Sequence, residues 1–404
     1  MNGLFTVVAL ELFLGGGGRL TELGPVTVRM ILFALCLCCA VFVAVYRPRR
    51  NDGVALALAL VATYLMVHLP AVIIGVVSGA LPGDIATEMQ QSLYWLAAPF
   101  FAAALASQHM VARAAVLIRL SGVLMAGAYL LTLAGLVLGL VDFVWLYATL
   151  NATGEFFFRG ESFFFYKGFL YLGIAMVFLL ALKSPLSSVM LLVVALALVL
   201  TLTRGFVLSA SFAIILMLAA LKRWRAVSLA VIAIAVAALL VLVYLPSVDD
   251  SYLDQRDLSN ATRRDDFAFI LDNLKASTLL FGSGFGSLIN GRVAIENTFL
   301  WALWRLGIAG LAFWLLPLAL SLHYFIKVPA RNQQHRLACA FFFGTVLVYV
   351  QTLTNPYLNN PIGLSFVLIA LFSLRTISRV SAPSKSYPQR VTSEVRGGAL
   401  EGTQ

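Results

Sequence analysis

Residues 244–310 read YLPSVDDSYLDQRDLSNATRRDDFAFILDNLKASTLLFGSGFGSLINGRVAIENTFLWALWRLGIAG, and this stretch decides how the rest of the chain is interpreted. It is the one long polar interruption of an otherwise nearly continuous apolar sequence. It begins with an acidic run, contains a doubled arginine and a glycine-rich turn, and ends where a new apolar run begins. We therefore expect much of any chemistry in this protein to lie here.

The composition of the whole chain indicates a membrane protein. The 404 residues are 61% hydrophobic and 11% charged, whereas a soluble domain carries about 25% charged residues. Continuous apolar runs favour helices over barrel strands, in which apolar residues alternate. The formal net charge is +10. Most of the basic residues lie in short loops between apolar runs, which is typical of topology signals and argues against a nucleic-acid partner.

The apolar runs predict an all-α polytopic fold of about twelve transmembrane helices, each of roughly 17–25 residues or slightly fewer. The predicted spans are residues 5–14, 28–46, 54–77, 93–106, 115–140, 164–182, 186–202, 205–221, 226–245, 297–322, 337–353 and 362–377. Residues 1–380 then form one bundle, with a long outer loop at 246–295 between helices nine and ten. Residues 381–404 are predicted to be a disordered cytoplasmic tail.

Lysine and arginine mark the cytoplasmic side of a membrane. Their distribution predicts that both termini are cytoplasmic and that residues 141–167 and 246–295 lie outside. The two phenylalanine triplets at 156–158 and 163–165 are expected in the membrane interface, with their rings in lipid. The four cysteines lie within apolar runs and no histidine has metal-ligand spacing, so we expect neither a metal site nor a cofactor.

Three arginines stand where positive charge is unexpected. Arg204 lies between two apolar runs with almost no loop, where a charge usually marks a functional site or snorkels to the interface. Arg263 and Arg264 open a helical pattern that predicts a helix over residues 262–274. Arginines in a first turn oppose the helix dipole, so either an anionic ligand or nearby aspartates should hold them.

Other polar features follow in the same segment. The glycine-rich turn at 281–286 lacks the strand and the Lys-Ser/Thr of nucleotide-binding loops, and predicts a tight turn that shapes a cavity wall. Glu296 either caps a helix or faces an outer cavity as a general base or sugar ligand, and Asn297 suits either role. Arg305 lies well inside the tenth span, where it either pairs with an acid or lines a wet cavity.

The order and spacing of these features resemble the superfamily of O-antigen ligases and O-antigen or exopolysaccharide polymerases. The matching features are Thr203-Arg204-Gly205 at the start of an outer-facing helix, a long outer segment with an early arginine, the turn GSGFG, and Glu296-Asn297 opening a helix that continues FLWALWRLGIAGL. The number of spans and the position of the long loop match as well. The resemblance implies a GT-C-like fold in the bacterial inner membrane.

The resemblance further implies an inverting, metal-independent glycosyl transfer on the periplasmic face. The donor would be a glycan on undecaprenyl pyrophosphate, and the arginines would bind the pyrophosphate leaving group by charge and fork geometry. Arg204 and Arg263 match these arginines by position, and Arg159 lies in a loop similar to the family's RxxG segment. The predicted catalytic residues are Glu296, Arg204 and Arg263, and the predicted substrate-binding residues are Arg159, Arg264, Asn297 and Arg305.

One departure separates the branches of the superfamily. Ligases, which transfer glycan to lipid A–core, place a histidine where this chain has Glu296, and none of the four histidines here lies in an outer segment. This favours a polymerase, which joins lipid-linked repeat units and for which a chain-length regulator is a candidate protein partner. A transporter is an alternative from a different class, but acids other than Glu11 are nearly absent from the spans. A non-catalytic membrane scaffold is the last alternative.

Overall fold

The computed structural model is a bundle of α-helices with two short β-hairpins. It describes residues 1–18, 20, 22–23, 26–46, 52–159, 163–182, 185–229, 231, 250–293, 295–330 and 333–381. Its α-helices include α1 (Asn2–Leu14), α2 (Val28–Tyr46), α3 (Asp52–Val77), α4 (Pro82–Ser92), α5 (Ala98–Ala104), α6 (Gln108–Val137), α7 (Phe143–Asn151), α8 (Leu170–Ala181), α9 (Ser187–Leu200), α10 (Arg204–Ala220), α11 (Asp250–Asn273), α12 (Ala276–Phe281), α13 (Thr298–Ile326), α14 (Gln333–Gln351) and α15 (Pro361–Ser381). The antiparallel hairpins are β1 (Glu22–Leu23) with β2 (Val26–Thr27), and β3 (Phe156–Arg159) with β4 (Phe163–Tyr166).

The predicted class, a helical multi-pass membrane protein, is confirmed. Five described helices are long and apolar enough to cross a membrane: α2, most of α3, α6, α13 and α15. Shorter apolar helices, α1, α8, α9 and α10, accompany them. The number twelve is not confirmed by these helices, and the predicted ninth span, residues 226–245, lies mostly outside the described part of the chain.

Helix α15 lies at the centre of the bundle. It packs mainly against α13 and α14, and also contacts α5 and α6. Every residue from Ile362 to Ser378 is buried. Neighbouring helices therefore surround α15 along most of its length, and it forms the core of the bundle.

Two predicted spans have a different structure. Residues 93–106 are a 3-10 turn (Leu93–Ala97) followed by the short helix α5, and Trp95 and Phe100 are fully buried in protein. The prediction of a helix from 164 to 182 was wrong at its start, because residues 163–166 pair with β3 before α8 begins. Phe164 and Phe165 are buried, so the second triplet packs in the protein and its rings are not in lipid as predicted.

Helix α11 begins at Asp250, about a dozen residues before the predicted start. Arg263 and Arg264 therefore lie in the middle of the helix, and the argument from the helix dipole was wrong. Along this helix Phe267 and Leu271 are exposed while Ile270 is buried.

The predicted tenth span is broken. Gly307 in α13 has a φ of 67° and a ψ of −163°, a conformation that glycine adopts far more readily than other residues. A Cβ at Gly307 would lie 2.5 Å from the carbonyl oxygen of Leu280, so α12 packs directly on the break. The glycine-rich turn 282–286 is confirmed as a turn, with positive φ at all three glycines. The result is a short first half of α13, residues 298–306, held against α12.

Helices α10 and α13 begin, and α14 ends, at one end of the bundle, which we call the polar end. The backbone N–H of Thr298 there faces the carbonyl oxygen of Thr352 at 3.5 Å. Tyr357 and Tyr166 bring the β3–β4 hairpin and the last residue of α1 to the same end. Helices α1 and α15 consequently place Met1 and Ser381 at the opposite end, which the basic residues predict to be cytoplasmic.

Candidate functional site

Arg263 and Glu296 meet at the polar end. The Nε atom of Arg263 lies 2.6 Å from Oε2 of Glu296, and the two side chains are 35% and 41% exposed. An ion pair this exposed contributes little to stability because solvent screens it. The pair therefore presents a guanidinium and a carboxylate to an incoming ligand at little structural cost. The sequence had also allowed Arg263 to pair with Asp265 or Asp266, but in the structure Arg263 pairs with Glu296.

Asn297 caps the first half of α13. Its Oδ1 accepts from the backbone N–H groups of Phe299 and Leu300, at 2.9 and 3.2 Å. Such caps satisfy N–H groups that have no partner within the helix. The capping role weighed for Glu296 therefore belongs to Asn297, and Glu296 is the residue just before the cap.

Arg204 is the first residue of α10 and its side chain is exposed. No hydrogen bond or ion pair joins it to another residue of the described chain. Leu202, two residues earlier, has a φ of 51°, which lets α9 turn into α10 with almost no loop. A guanidinium at the start of a helix that pairs with none of the described residues is available to an anionic ligand.

Thr354, in the loop after α14, connects these residues. Arg263 donates through Nη2 to the Thr354 carbonyl oxygen at 3.3 Å. Gly205 packs so closely that an added Cβ would lie 3.0 Å from the Thr354 hydroxyl and from the Gln351 amide. The Ser209 hydroxyl donates to Gln351 at 2.9 Å. The start of α10, the end of α14 and the Arg263–Glu296 pair are therefore neighbours.

The same loop anchors the β3–β4 hairpin, where Arg159 lies opposite Phe163 in register. Tyr357 donates to the Lys167 carbonyl oxygen at 3.1 Å. Burial, followed by the negative charge of Glu155, raises the pKa of Tyr357 well above its ordinary value. The phenol therefore stays protonated and keeps this hydrogen bond. Arg264, the remaining predicted ligand, is exposed beside Arg263.

Arg305 is held by protein groups. It is 0% exposed at its side chain and its Nε lies 2.7 Å from Oε1 of Glu88. Nη2 donates to the carbonyl oxygen of Val293 at 2.8 Å, and Nη1 contacts Ser287. Of the two roles considered for Arg305, the structure shows the pairing with an acid. Arg305 is therefore not part of the binding site proposed below.

Glu88 receives two further hydrogen bonds, from Trp301 Nε1 at 3.0 Å and from the N–H of Gly286 at 2.6 Å. This network ties α4 and the glycine-rich turn to the first half of α13, which carries Asn297 and Glu296 at its start. These hydrogen bonds therefore hold the start of α13, and with it Asn297 and Glu296, in a fixed position.

Replacing Glu88 with glutamine is expected to destabilise the protein by about 3 kcal/mol, because breaking a buried ion pair leaves an uncompensated charge. The measurement is the unfolding free energy in detergent, followed by tryptophan fluorescence. Glu296→Gln is the matched control, since its pair is half exposed and its loss should cost less than about 1 kcal/mol. Equal effects of the two variants would contradict this assignment.

The sequence interpretation missed Glu88, Gln351 and Thr354. One signal was present for Glu88: Ile85, Glu88 and Ser92 recur at helical spacing and form the buried face of α4. A carboxylate on such a face needs a buried partner. Gln351 and Thr354 carried no comparable signal.

Two comparisons connect this geometry with known proteins. Residues 186–315 match a family model described as O-antigen ligase. The chain is also 28% identical over 388 residues to an O-antigen polymerase of Shigella flexneri, an alignment that covers 93% of this chain and 96% of that protein. Both findings confirm the resemblance inferred from the order of the motifs. Arg204, Arg263 and Glu296 all lie within the matched residues 186–315.

Proposed function

We propose that this chain is a glycosyltransferase of the bacterial inner membrane that polymerises oligosaccharide repeat units carried on undecaprenyl pyrophosphate. The polar end would face the periplasm, as the basic residues predict for both termini on the cytoplasmic side. The product would be a surface polysaccharide such as O-antigen or exopolysaccharide. A chain-length regulator remains a predicted partner.

The observation that carries the proposal is the exposed Arg263–Glu296 pair beside the start of α10, within residues 186–315. Arg204 and Arg263 would bind the pyrophosphate of the donor, since guanidinium groups match phosphate oxygens in charge and geometry. Glu296 would receive the proton of the acceptor hydroxyl. Arg159, Arg264 and Asn297 would contact substrate at the rim.

In the proposed step, the acceptor oxygen forms a bond to the anomeric carbon of the donor sugar with inversion. The bond from that carbon to the pyrophosphate oxygen breaks, and its electron pair leaves with undecaprenyl pyrophosphate. Positive charge near the leaving oxygens stabilises the charge that develops there. The acceptor proton passes to Glu296, so the step needs no metal ion or cofactor in this proposal.

A ligase is the second candidate, because the matching family model is described as O-antigen ligase. The name of the Shigella flexneri relative and the glutamate at position 296 favour the polymerase. The two functions predict different products when the protein is absent.

Deleting the gene in a strain that makes such a polysaccharide tests the proposal. We expect the ladder of long chains to disappear from a gel while a single repeat unit remains attached to lipid A–core. Restoring the wild-type gene should restore the ladder. Accumulation of long chains on undecaprenyl pyrophosphate, unattached to core, would instead identify a ligase and overturn the proposal.

A further inference from the structure

A groove of about 550 Å³ runs along α11, on a different face from the Arg263–Glu296 pair. Its lining residues are Thr262, Asp265, Ala268, Phe269, Asp272, Asn273, Asn290 and Arg292. Most of them recur at helical spacing and form one stripe of α11. The stripe starts next to Arg263 and continues for about 16 Å, at 1.5 Å per residue.

A tight turn forms the opposite wall of the groove. Ile289 and Arg292 exchange backbone hydrogen bonds of 2.8 and 2.9 Å, and Asn290 and Gly291 between them have φ values of 48° and 76°. Positive φ at both central residues defines the tight hairpin turn that Asn-Gly favours. Arg292 also donates to the buried Asp266 of α11 at 2.6 Å. The turn is therefore fastened to the helix, and the groove has two fixed walls.

The chemistry of the lining fits a carbohydrate. It combines carboxylates, carboxamides, a hydroxyl and a guanidinium, and so offers both acceptors and donors to sugar hydroxyl groups. Phe269 adds an aromatic ring whose position is set by Trp304, at 5.7 Å between ring centroids. Asp265 and Asp272 are seven residues apart, about 10 Å along the helix, which is too far for both to hold one metal ion.

We propose that this groove binds the oligosaccharide of a lipid-linked repeat unit and holds it on the helix that carries Arg263. The inference rests on the function proposed above and extends it to a site for the sugar chain. The oligosaccharide belongs either to the donor or to the acceptor. A repeat unit lying along α11 would have one end at Thr262, one residue before the arginine that pairs with Glu296 at 2.6 Å.

Binding of a free oligosaccharide tests the groove without requiring activity. The probe is one repeat unit released from its lipid carrier by mild acid and titrated into the purified full-length chain in nanodiscs. Asp272→Asn and Phe269→Ala are each expected to weaken binding about tenfold, through loss of a charged hydrogen bond and of ring contact respectively. Equal affinity in these variants and the wild type would overturn the proposal.

Phe267→Ala is the matched control, because Phe267 is an exposed phenylalanine of the same helix outside the groove lining. It should bind the probe as the wild type does. Phe269→Leu provides a second variant that keeps apolar contact with Trp304 but removes the ring. Weakened binding by Phe267→Ala to the same extent would show that the effect is not specific to the groove.

Two substrate analogues distinguish the sources of the sugar. An alkyl glycoside of one repeat unit can accept but cannot donate, and a lipid-pyrophosphate repeat unit without its acceptor hydroxyl can donate but cannot accept. Phe269→Ala should raise KM for the first analogue if the groove holds the acceptor, and for the second if it holds the donor. An unchanged KM for both would overturn the proposal.

The same experiments separate failure of the groove from failure of the proposed function. If the wild-type chain polymerises lipid-linked repeat units and the groove variants do so equally well, the groove assignment fails alone. If the wild-type chain binds the free oligosaccharide through the groove but joins no repeat units, the polymerase assignment fails alone.

Discussion

Replacing Arg204 with alanine is expected to lower kcat/KM for glycan polymerisation by about 10²–10³, the usual effect of removing one donor that stabilises charge in a transition state. The side chain is exposed, and no described residue of the protein pairs with it. Its removal therefore breaks no hydrogen bond or ion pair within the described part of the chain, and the melting temperature should stay at the wild-type value. Loss of activity without loss of stability would separate a ligand-binding arginine from a structural one.

The alternative for Arg204 is an arginine that only snorkels to the membrane interface. Arg204→Lys distinguishes the two, since lysine snorkels equally well but lacks the planar fork that matches phosphate oxygens. We expect the lysine variant to keep only part of the activity. Lys275→Ala, which removes an exposed positive charge beyond the end of α11, is the control. Wild-type kcat/KM in both Arg204 variants would remove this residue from the mechanism.

The long helices could be predicted because a continuous apolar run in a membrane has essentially one solution. Helix α2 has the predicted bounds, and α10 and α15 begin within a residue of theirs, because a lipid environment demands that every backbone group be paired within the helix. The predicted span at residues 93–106 was wrong because residues 93–104 are covered by protein, where short helices and 3-10 turns are tolerated. The start of the predicted span at residue 164 was wrong because a run of phenylalanines is as compatible with a buried strand, here β4, as with a membrane-spanning helix.

The exposed charged residues of the site could be predicted from the sequence. The contacts that hold the site together could not. A charge between two apolar runs identified Arg204 without any knowledge of its neighbours. The partner of Arg305, however, is Glu88, 217 positions away, and no local pattern sets the register between two separate helices. The break at Gly307 was likewise hidden, because glycine is common in membrane helices and only the approach of α12 requires it here.

Replacing Glu296 with glutamine should lower kcat by about 10² and leave KM nearly unchanged, if this carboxylate receives the proton of the acceptor hydroxyl. Glutamine has the same size and its amide oxygen can still accept from Arg263, so the variant removes proton uptake and keeps the contact. Asn297 supplies the helix cap, so the start of α13 should remain folded. Unchanged melting temperature is the necessary control.

A double-mutant cycle decides whether Arg263 and Glu296 act together. Residues that act as one unit give effects that do not add, so Arg263→Gln combined with Glu296→Gln should be little worse than the poorer single variant.

Added formate provides the sharpest contrast. It should restore part of the activity of Glu296→Ala by taking up the proton in place of the lost carboxylate, and it should do nothing for Arg204→Ala, whose deficit is a missing positive charge. Full activity of Glu296→Gln without formate would show that positioning alone accounts for the rate and that Glu296 is not the base. Rescue of both variants would show that formate does not act by replacing the lost carboxylate.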